Sequence, residues 1–128
     1  MEKKVVLLVD DQEDLLKVIG LRIQSWGYDL IEAKNGKEAL ELFESKRPDI
    51  VVLDYMLPDL NGIDILKNMR KNNNETPVIM FTAYPNTTAM KGAEKLGVSA
   101  FIPKLSEYSD SQPLLKTALH MAGNHPRM

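Results

Sequence analysis

The sequence predicts one α/β domain built on a doubly wound, parallel sheet with helices on both of its faces. Short apolar runs alternate with longer segments in which apolar residues recur every three or four positions. Three of the five runs are continuously apolar, as is typical of central parallel strands that are covered on both faces. The chain has 128 residues, 44% of them hydrophobic and 27% charged, which suits a single globular domain.

The apolar runs predict strands at residues 5–9, 28–33, 50–53, 78–81 and 99–102. A stripe formed by Leu15, Ile19, Ile23 and Trp26 predicts a first helix over about residues 12–26. Similar stripes predict a helix after each later strand, the fifth closed by Gly123. Strict alternation of strands and helices favours right-handed crossovers and the strand order 2-1-3-4-5 of flavodoxin-like folds.

Composition sets the broad limits on function. We expect the domain to cover residues 1–123, with residues 124–128 forming a flexible tail. A net charge of −2 lacks the basic excess that direct nucleic-acid binding requires. The absence of cysteine fits a cytoplasmic location and rules out thiolate metal sites. The first apolar run stops after five residues, so neither a signal peptide nor a membrane span is predicted.

Polar residues follow four of the predicted strands. Strand one stops at Asp10 and Asp11, strand three at Asp54, strand four at Thr82, and strand five just before Lys104. Ligands of doubly wound sheets bind beyond the carboxyl ends of the strands, so these groups are expected to converge at one edge. Strands one and three are predicted neighbours, about 5 Å apart, which brings the three carboxylates together.

Three carboxylates in one cleft repel each other, and the repulsion is relieved either by raised pKa values or by a bound cation. Oxygen ligands on an open site suit Mg²⁺, with Mn²⁺ as the substitute. A cation, the Lys104 ammonium and the Thr82 hydroxyl together make a site for a phosphoryl group. Asp54 is then the predicted nucleophile, because a carboxylate can accept a phosphoryl group as an aspartyl phosphate.

With these residues in place, the chain resembles the receiver domain of two-component response regulators. The match extends over almost the whole chain, and its combination is specific although each piece alone is weak. The matching residues are Asp10, Asp11, Asp54, Pro58, Gly62, Thr82, Ala83, Phe101 and Lys104.

The resemblance implies a signalling switch rather than a metabolic enzyme, one that catalyses only its own phosphoryl transfer and slow dephosphorylation. Asp54 would take a phosphoryl group from the phosphohistidine of a sensor kinase or a histidine phosphotransfer protein. Mg²⁺ would be held by Asp11, Asp54 and the Met56 carbonyl, with Asp10 assisting through water. Thr82 and Phe101 would then move inward and remodel the surface of helix four, strand five and helix five. That surface would control an output domain, a downstream protein or a phosphorylation-dependent homodimer.

One feature sets this chain apart from the usual family pattern. Receivers usually carry proline after the lysine, whereas here Pro103 precedes Lys104 and Leu105 follows it, so a looser lysine loop is expected. Met56 and Tyr84 are expected on the rim of the site, where bulky side chains would obstruct the hydrolytic water and prolong the phosphorylated state. We also expect Pro58 to stiffen the loop after Asp54 and Gly62 to permit a tight turn into the third helix.

Other interpretations compete with this one. Asp11 alone could simply cap the first helix. A degenerate receiver would act as an interaction module without phosphorylation. A small phosphohydrolase would need a second carboxylate two residues after its nucleophile, where this chain has Met56. A dinucleotide domain would need G-x-G-x-x-G after strand one, where acidic residues stand instead.

Overall fold

The computed structural model describes residues 3–71, 75–83, 87–104 and 108–123. In these ranges no helix combines the length and the apolar character that crossing a bilayer requires. The elements, in chain order, are β1 (Val5–Val9), α1 (Glu13–Ser25), β2 (Asp29–Ala33), α2 (Gly36–Lys46), β3 (Ile50–Leu53), α3 (Gly62–Met69), β4 (Val78–Thr82), α4 (Thr87–Lys95), β5 (Ala100–Pro103) and α5 (Tyr108–Gly123).

The five strands form one parallel sheet in the order β2-β1-β3-β4-β5, which confirms the predicted fold class and winding. The central strands β3 and β4 are buried along their whole length, as their unbroken apolar sequences predict. The register pairs Val9 with Leu53, Leu53 with Met80, and Thr82 with Pro103. The strands therefore finish at the same edge of the sheet.

Two apolar layers enclose the sheet, and alternate residues of β1 point into them. One layer contains Leu8 together with buried residues of α1 and α5, including Ile19 and Leu119. The other contains Leu7 together with buried residues of α2, α3 and α4. The helical stripes found in the sequence are thus the faces that cover the sheet.

The element bounds differ from the prediction mainly in the last third of the chain. β5 starts at Ala100 and includes Pro103, which an edge strand tolerates because its outer N–H has no ladder partner to lose. α5 begins at Tyr108, well before Leu115, the first residue of the predicted apolar stripe. Periodicity gave no signal for residues 108–112 because this stretch is mostly polar.

Arg70, the residue that caps the carboxyl-terminal end of α3, forms hydrogen bonds at the carboxyl-terminal end of α4. Its Nε donates to the Leu96 carbonyl oxygen at 2.8 Å, and its guanidinium also donates to the carbonyl oxygens of Thr76 and Gly97, at 2.8 and 3.3 Å. Two of these carbonyls follow directly after α4, where a helix end leaves acceptors without partners. The carboxyl-terminal end of α4 is thereby fixed to α3 and to the segment that precedes β4.

Candidate functional site

Asp10 and Asp54 lie side by side because their strands are paired. Val9 pairs with Leu53 in the sheet, and each aspartate is the next residue. The ladder continues past the strand ends, since the Asp54 N–H donates to the Val9 carbonyl oxygen at 3.1 Å and the Asp10 N–H to that of Ala33 at 3.0 Å. The sheet therefore fixes the backbone of both residues.

The predicted acidic cluster is present among the described residues. Carboxylate oxygens of Asp10, Asp11 and Asp54 lie within 4.8 Å of one another. Asp10 is 1% exposed and Asp54 is 5% exposed, while Asp11 faces solvent. Burial raises the pKa of the Asp10 carboxyl above its ordinary value, and a hydrogen bond from Lys104 opposes that shift. An all-oxygen set at a partly open edge fits a small divalent cation.

The helix-capping interpretation of Asp11 is wrong. Gln12 occupies the cap position of α1, one residue further on. The Gln12 N–H is bonded by the side chain of Asp10, whose Oδ1 accepts it at 2.9 Å. Asp11 is left with its carboxylate directed to the cluster that it forms with Asp10 and Asp54.

Lys104 closes the cluster from the side of β5. Its ammonium forms ion pairs with Asp10 and with Asp54, the latter at 3.0 Å, and its side chain is only 5% exposed. The ammonium also lies 5.8 Å from the centre of the Phe81 ring. The Lys104 backbone N–H donates to the Thr82 carbonyl oxygen at 2.7 Å. Lys104 itself is therefore held at both ends rather than loosely, while Leu105 lies outside the described residues.

Thr82 and Phe101 occupy the positions that the sequence predicts for them. Thr82 is the last residue of β4 and is fully buried. Phe101 pairs with Met80 in the sheet and is half-buried against the layer that contains α2, α3 and α4. Phe101 also lines a groove of about 460 Å³ between α4 and β5, next to Met90. A second groove of about 690 Å³ lies between β5 and α5, where Leu114 and Met121 are exposed.

The loop that follows Asp54 is folded back on itself. Met56 and Asn61 form an antiparallel bridge, and the Gly62 N–H donates to the Tyr55 carbonyl oxygen at 2.6 Å. Asn61 also caps α3 by accepting the Asp64 N–H at 2.9 Å. The Met56 N–H points to Oδ1 of Asp54 at 3.4 Å. The loop is thus tied to α3 and lies against the Asp54 carboxylate.

Gly62 has a different role from the one that its position suggested. The sequence suggests a tight turn, but positive φ angles among the described glycines occur at Gly27 and Gly97. A Cβ added at Gly62 would lie 2.8 Å from the Asp54 carbonyl oxygen and 2.8 Å from Tyr55 Cα. Glycine is needed here because two backbone segments touch.

A cavity of about 320 Å³ opens at this edge of the sheet. Met56 lines it with 49% of its surface exposed, and Tyr84, the other residue predicted at the rim, lies outside the described residues. The cavity does not include Thr82; its neighbour Ala83 lines the wall instead. The lining residues are Asp11, Gln12, Asp54, Met56, Leu57, Pro58, Ala83 and Lys104.

The sequence analysis did not identify the contact between Asp59 and the start of α2. It sits in the loop after Asp54, and its carboxylate accepts the N–H groups of Gly36 and Lys37, at 2.7 and 2.9 Å. These bonds lower the pKa of Asp59. Its partners are more than twenty residues away and belong to another helix, so no local spacing pattern could have revealed the pair.

Comparison with known proteins agrees with this geometry. The family model described as "Response regulator receiver domain" matches residues 6–116. The alkaline phosphatase synthesis transcriptional regulatory protein PhoP of Bacillus subtilis is 42% identical over 83 residues, which cover 65% of this chain and 34% of that protein. The probable transcriptional regulator ycf27 of Porphyridium aerugineum is 35% identical over 81% of this chain and 43% of its own length. The chain therefore spans less than half the length of these curated relatives.

The fold also matches solved structures. The non-phosphorylated HemR receiver domain of Leptospira biflexa superimposes with a TM-score of 0.86 at 30% identity, covering 98% of each chain. The chemotaxis response regulator CheY4 of Vibrio cholerae has a TM-score of 0.80 at 23% identity, which supports the fold alone. The family match runs from β1 into α5 and includes the acidic cluster, Thr82 and Lys104. This chain belongs to the response regulator receiver domain family.

Proposed function

We propose that Asp54 accepts a phosphoryl group from a phosphohistidine and that this modification switches the surface formed by α4, β5 and α5. The observation that carries the proposal is the setting of the Asp54 carboxylate. It is paired with the Lys104 ammonium, it belongs to the acidic cluster with Asp10 and Asp11, and it lines the cavity. The nucleophile thus stands beside an ammonium and beside carboxylates that would hold a cation, and these two positive charges would neutralise the incoming phosphoryl oxygens.

Asp11, Asp54 and the backbone carbonyl of Met56 would hold Mg²⁺, with Asp10 bound through water. The ion, or Mn²⁺ in its place, would supply positive charge to the phosphoryl oxygens. An Asp54 oxygen forms the new O–P bond as the P–N bond to the histidine breaks. The departing imidazole nitrogen keeps the electron pair of that bond. Lys104 is already beside Asp54 and supplies the second positive charge.

The proposed response begins at Thr82 and Lys104, which share a backbone hydrogen bond. A phosphoryl group on Asp54 offers new acceptors to the Thr82 hydroxyl and to the Lys104 ammonium. Phe101 lies beside the groove between α4 and β5, and this groove leaves room for a half-buried ring to move inward. The same surface carries exposed Met90, Leu114 and Met121, which an output domain, a downstream protein or a second copy would cover.

The partners follow from the proposed chemistry. The phosphodonor is a sensor histidine kinase or a histidine phosphotransfer protein, and the setting is the cytoplasm. The curated relatives are transcriptional regulators more than twice as long as the matched region, which supports an output domain as the target of the switch. A net charge of −2 argues against direct nucleic-acid binding by this segment.

The test is intact-protein mass spectrometry after incubation with Mg²⁺ and acetyl phosphate. The wild-type chain should gain the mass of one phosphoryl group, and neither Asp54→Asn nor a sample with chelator should do so. Asp64→Asn, which changes an exposed aspartate on α3, is the matched control and should be modified like wild type. An unmodified wild-type chain would contradict the proposal and favour an interaction module without phosphorylation.

We further propose that Met56 and Tyr84 lengthen the life of the phosphorylated state by obstructing the hydrolytic water. The exposed Met56 side chain at the cavity rim supports this role. After removal of acetyl phosphate, the double variant Met56→Ala, Tyr84→Ala should lose its phosphoryl group several times faster than wild type. An unchanged half-life would show that rim bulk does not control access of water.

A further inference from the structure

We propose that Asp59 is a positioning residue for the metal site, because it anchors the loop that carries Met56 to the first turn of α2. The inference rests on the proposed function, in which the Met56 carbonyl is a metal ligand. Asp59 touches neither the cavity nor the carboxylate cluster, so it would act only through the loop.

The first observation is the pair of hydrogen bonds made by Asp59. One carboxylate oxygen accepts the Gly36 N–H at 2.7 Å and the other accepts the Lys37 N–H at 2.9 Å. Two bonds to two oxygens fix the orientation of the carboxylate as well as its position. A negative charge at this end of a helix is also favoured by the helix dipole.

The second observation is the way in which α2 shares its first N–H groups. The N–H of Glu38 is taken by Asn35, the cap residue of α2, at 2.8 Å. The N–H groups of Gly36 and Lys37 donate hydrogen bonds to Asp59, which lies in the loop that follows β3 in the sequence. The start of α2 is therefore completed by the loop, and the loop gains a rigid support in return.

The third observation is the contact beside these bonds. A Cβ added at Gly36 would lie 2.8 Å from Leu60 Cδ1 and 2.9 Å from Leu60 Cβ. Leu60 thus presses directly on the backbone of α2. The loop therefore contacts α2 through the hydrogen bonds of Asp59 and through the neighbouring apolar side chain of Leu60. Together these contacts oppose movement of the loop relative to the helix.

The anchor is close enough to Met56 to control its position. Met56 and Asn61 form a bridge across the loop, and Asp59 lies between them in the sequence. The Gly62 N–H to Tyr55 carbonyl bond closes the same loop at its base. A loop this short, fixed at its base and at Asp59, leaves the Met56 carbonyl little freedom. Releasing Asp59 frees the loop tip and with it this ligand.

The experiment compares Mn²⁺ binding by wild type, Asp59→Ala and Asp59→Asn, followed by electron paramagnetic resonance. Asp59→Ala should bind Mn²⁺ about tenfold more weakly, as is typical when a group that orients a metal ligand is lost. Asp59→Asn keeps one acceptor and should fall between the two. Glu41→Ala removes one negative charge from the exposed face of α2 and should bind like wild type.

A readout independent of metal is amide hydrogen exchange of the apo proteins. Asp59→Ala should speed exchange at Gly62 and at Gly36, whereas a local effect on α2 would change Gly36 alone. Phosphorylation by acetyl phosphate should need more Mg²⁺ in Asp59→Ala yet reach nearly the wild-type rate at saturation. If Asp59→Ala does not fold, Asp59→Asn carries the comparison.

The outcomes separate this inference from the proposed function. If wild type binds Mn²⁺ and Asp59→Ala binds equally well, the anchor has no role in metal binding and this inference alone fails. If wild type binds no Mn²⁺, both proposals fail. If Glu41→Ala weakens Mn²⁺ binding as much as Asp59→Ala does, the loss of affinity is explained by the change in net charge. That result would also overturn the inference.

Discussion

The two sides of the site are built differently. The carboxylate side consists of Asp10, Asp11, Asp54 and the loop 55–61. That loop is held by its own bridge, by the Gly62 bond and by Asp59 on α2. The lysine side consists of Thr82, Phe101 and Lys104. Phe101 is only half-buried and lies beside two grooves, so this side has empty space next to a large side chain.

The difference matches the two tasks of the proposed switch. A site that binds a cation and aligns a phosphoryl group gains from ligands that are fixed in advance. A site that reports phosphorylation needs a second arrangement close in free energy, and the groove beside Phe101 would give the ring room for one. Lys104 belongs to both sides, because its backbone bonds to Thr82 and its ammonium to Asp10 and Asp54.

The largest expected effect is on the free energy of unfolding and comes from Lys104→Met, which removes the ion pairs with Asp10 and Asp54. Asp10 and Asp54 would then be buried without their cation, so the free energy of unfolding should fall by about 3 kcal/mol in chelator. Mn²⁺ should bind more tightly, because the ammonium no longer competes for the same carboxylates. Urea unfolding with and without Mg²⁺ measures both effects, and Mg²⁺ should restore part of the lost stability.

Lys46→Met is the control for Lys104→Met, since Lys46 is exposed at the end of α2. It should change the free energy of unfolding by well under about 1 kcal/mol. Equal losses in the two variants would mean that the ion pairs of Lys104 contribute nothing specific.

A smaller effect on the free energy of unfolding is expected from a pair of glycine substitutions, one on the carboxylate side and one on α4. Gly62→Ala forces its new methyl group into the backbone of Asp54 and Tyr55 and should cost about 2 kcal/mol. Gly92→Ala on α4 meets only Ile63, at 3.4 Å, and should gain about 0.5 kcal/mol through helix propensity. Thermal and urea unfolding check both. A tolerated Gly62→Ala would show that the carboxylate side is less rigid than its contacts imply.

The smallest effect is a gain in stability from Asp10→Asn. Burial raises the pKa of Asp10, so holding it ionised works against folding, and a neutral amide should raise the melting temperature by about 3 °C at pH 7. The gain should vanish as the pH falls below the ordinary carboxyl pKa of 3.8, because wild-type Asp10 is then neutral in both states. Exposed Asp14→Asn should show no such gain. A lower melting temperature for Asp10→Asn would contradict the cost assigned to burial.

The sequence was sufficient to predict the sheet and its edge, because both depend on short-range patterns. The apolar runs located the strands, and the residue that ended each run pointed to Asp10, Asp54 and Lys104. Strand order then brought these residues together, as the ion pairs and the acidic cluster confirm. The roles of these residues in phosphoryl transfer remain predictions.

What the sequence could not predict are contacts in which a side chain bonds to a distant backbone. The sequence carries no signal for the contacts of Asp59 and Arg70, because every residue offers the same backbone N–H and carbonyl groups that these side chains bind. The role of Gly62 was mistaken for a similar reason, since close approach of two backbones depends on how the loop folds. The start of α5 was missed because its first residues lack an apolar stripe.

Arg70 has a consequence for how α4 would answer a signal from Thr82. Arg70 holds the carboxyl-terminal end of α4, and the opposite end of the helix is the one that follows the β4 strand end. Nine residues of helix measure about 13 Å, so a tilt of about 10° about the Arg70 end would displace the opposite end by about 2 Å. Motion would therefore be amplified with distance from Arg70 and be greatest around Thr87.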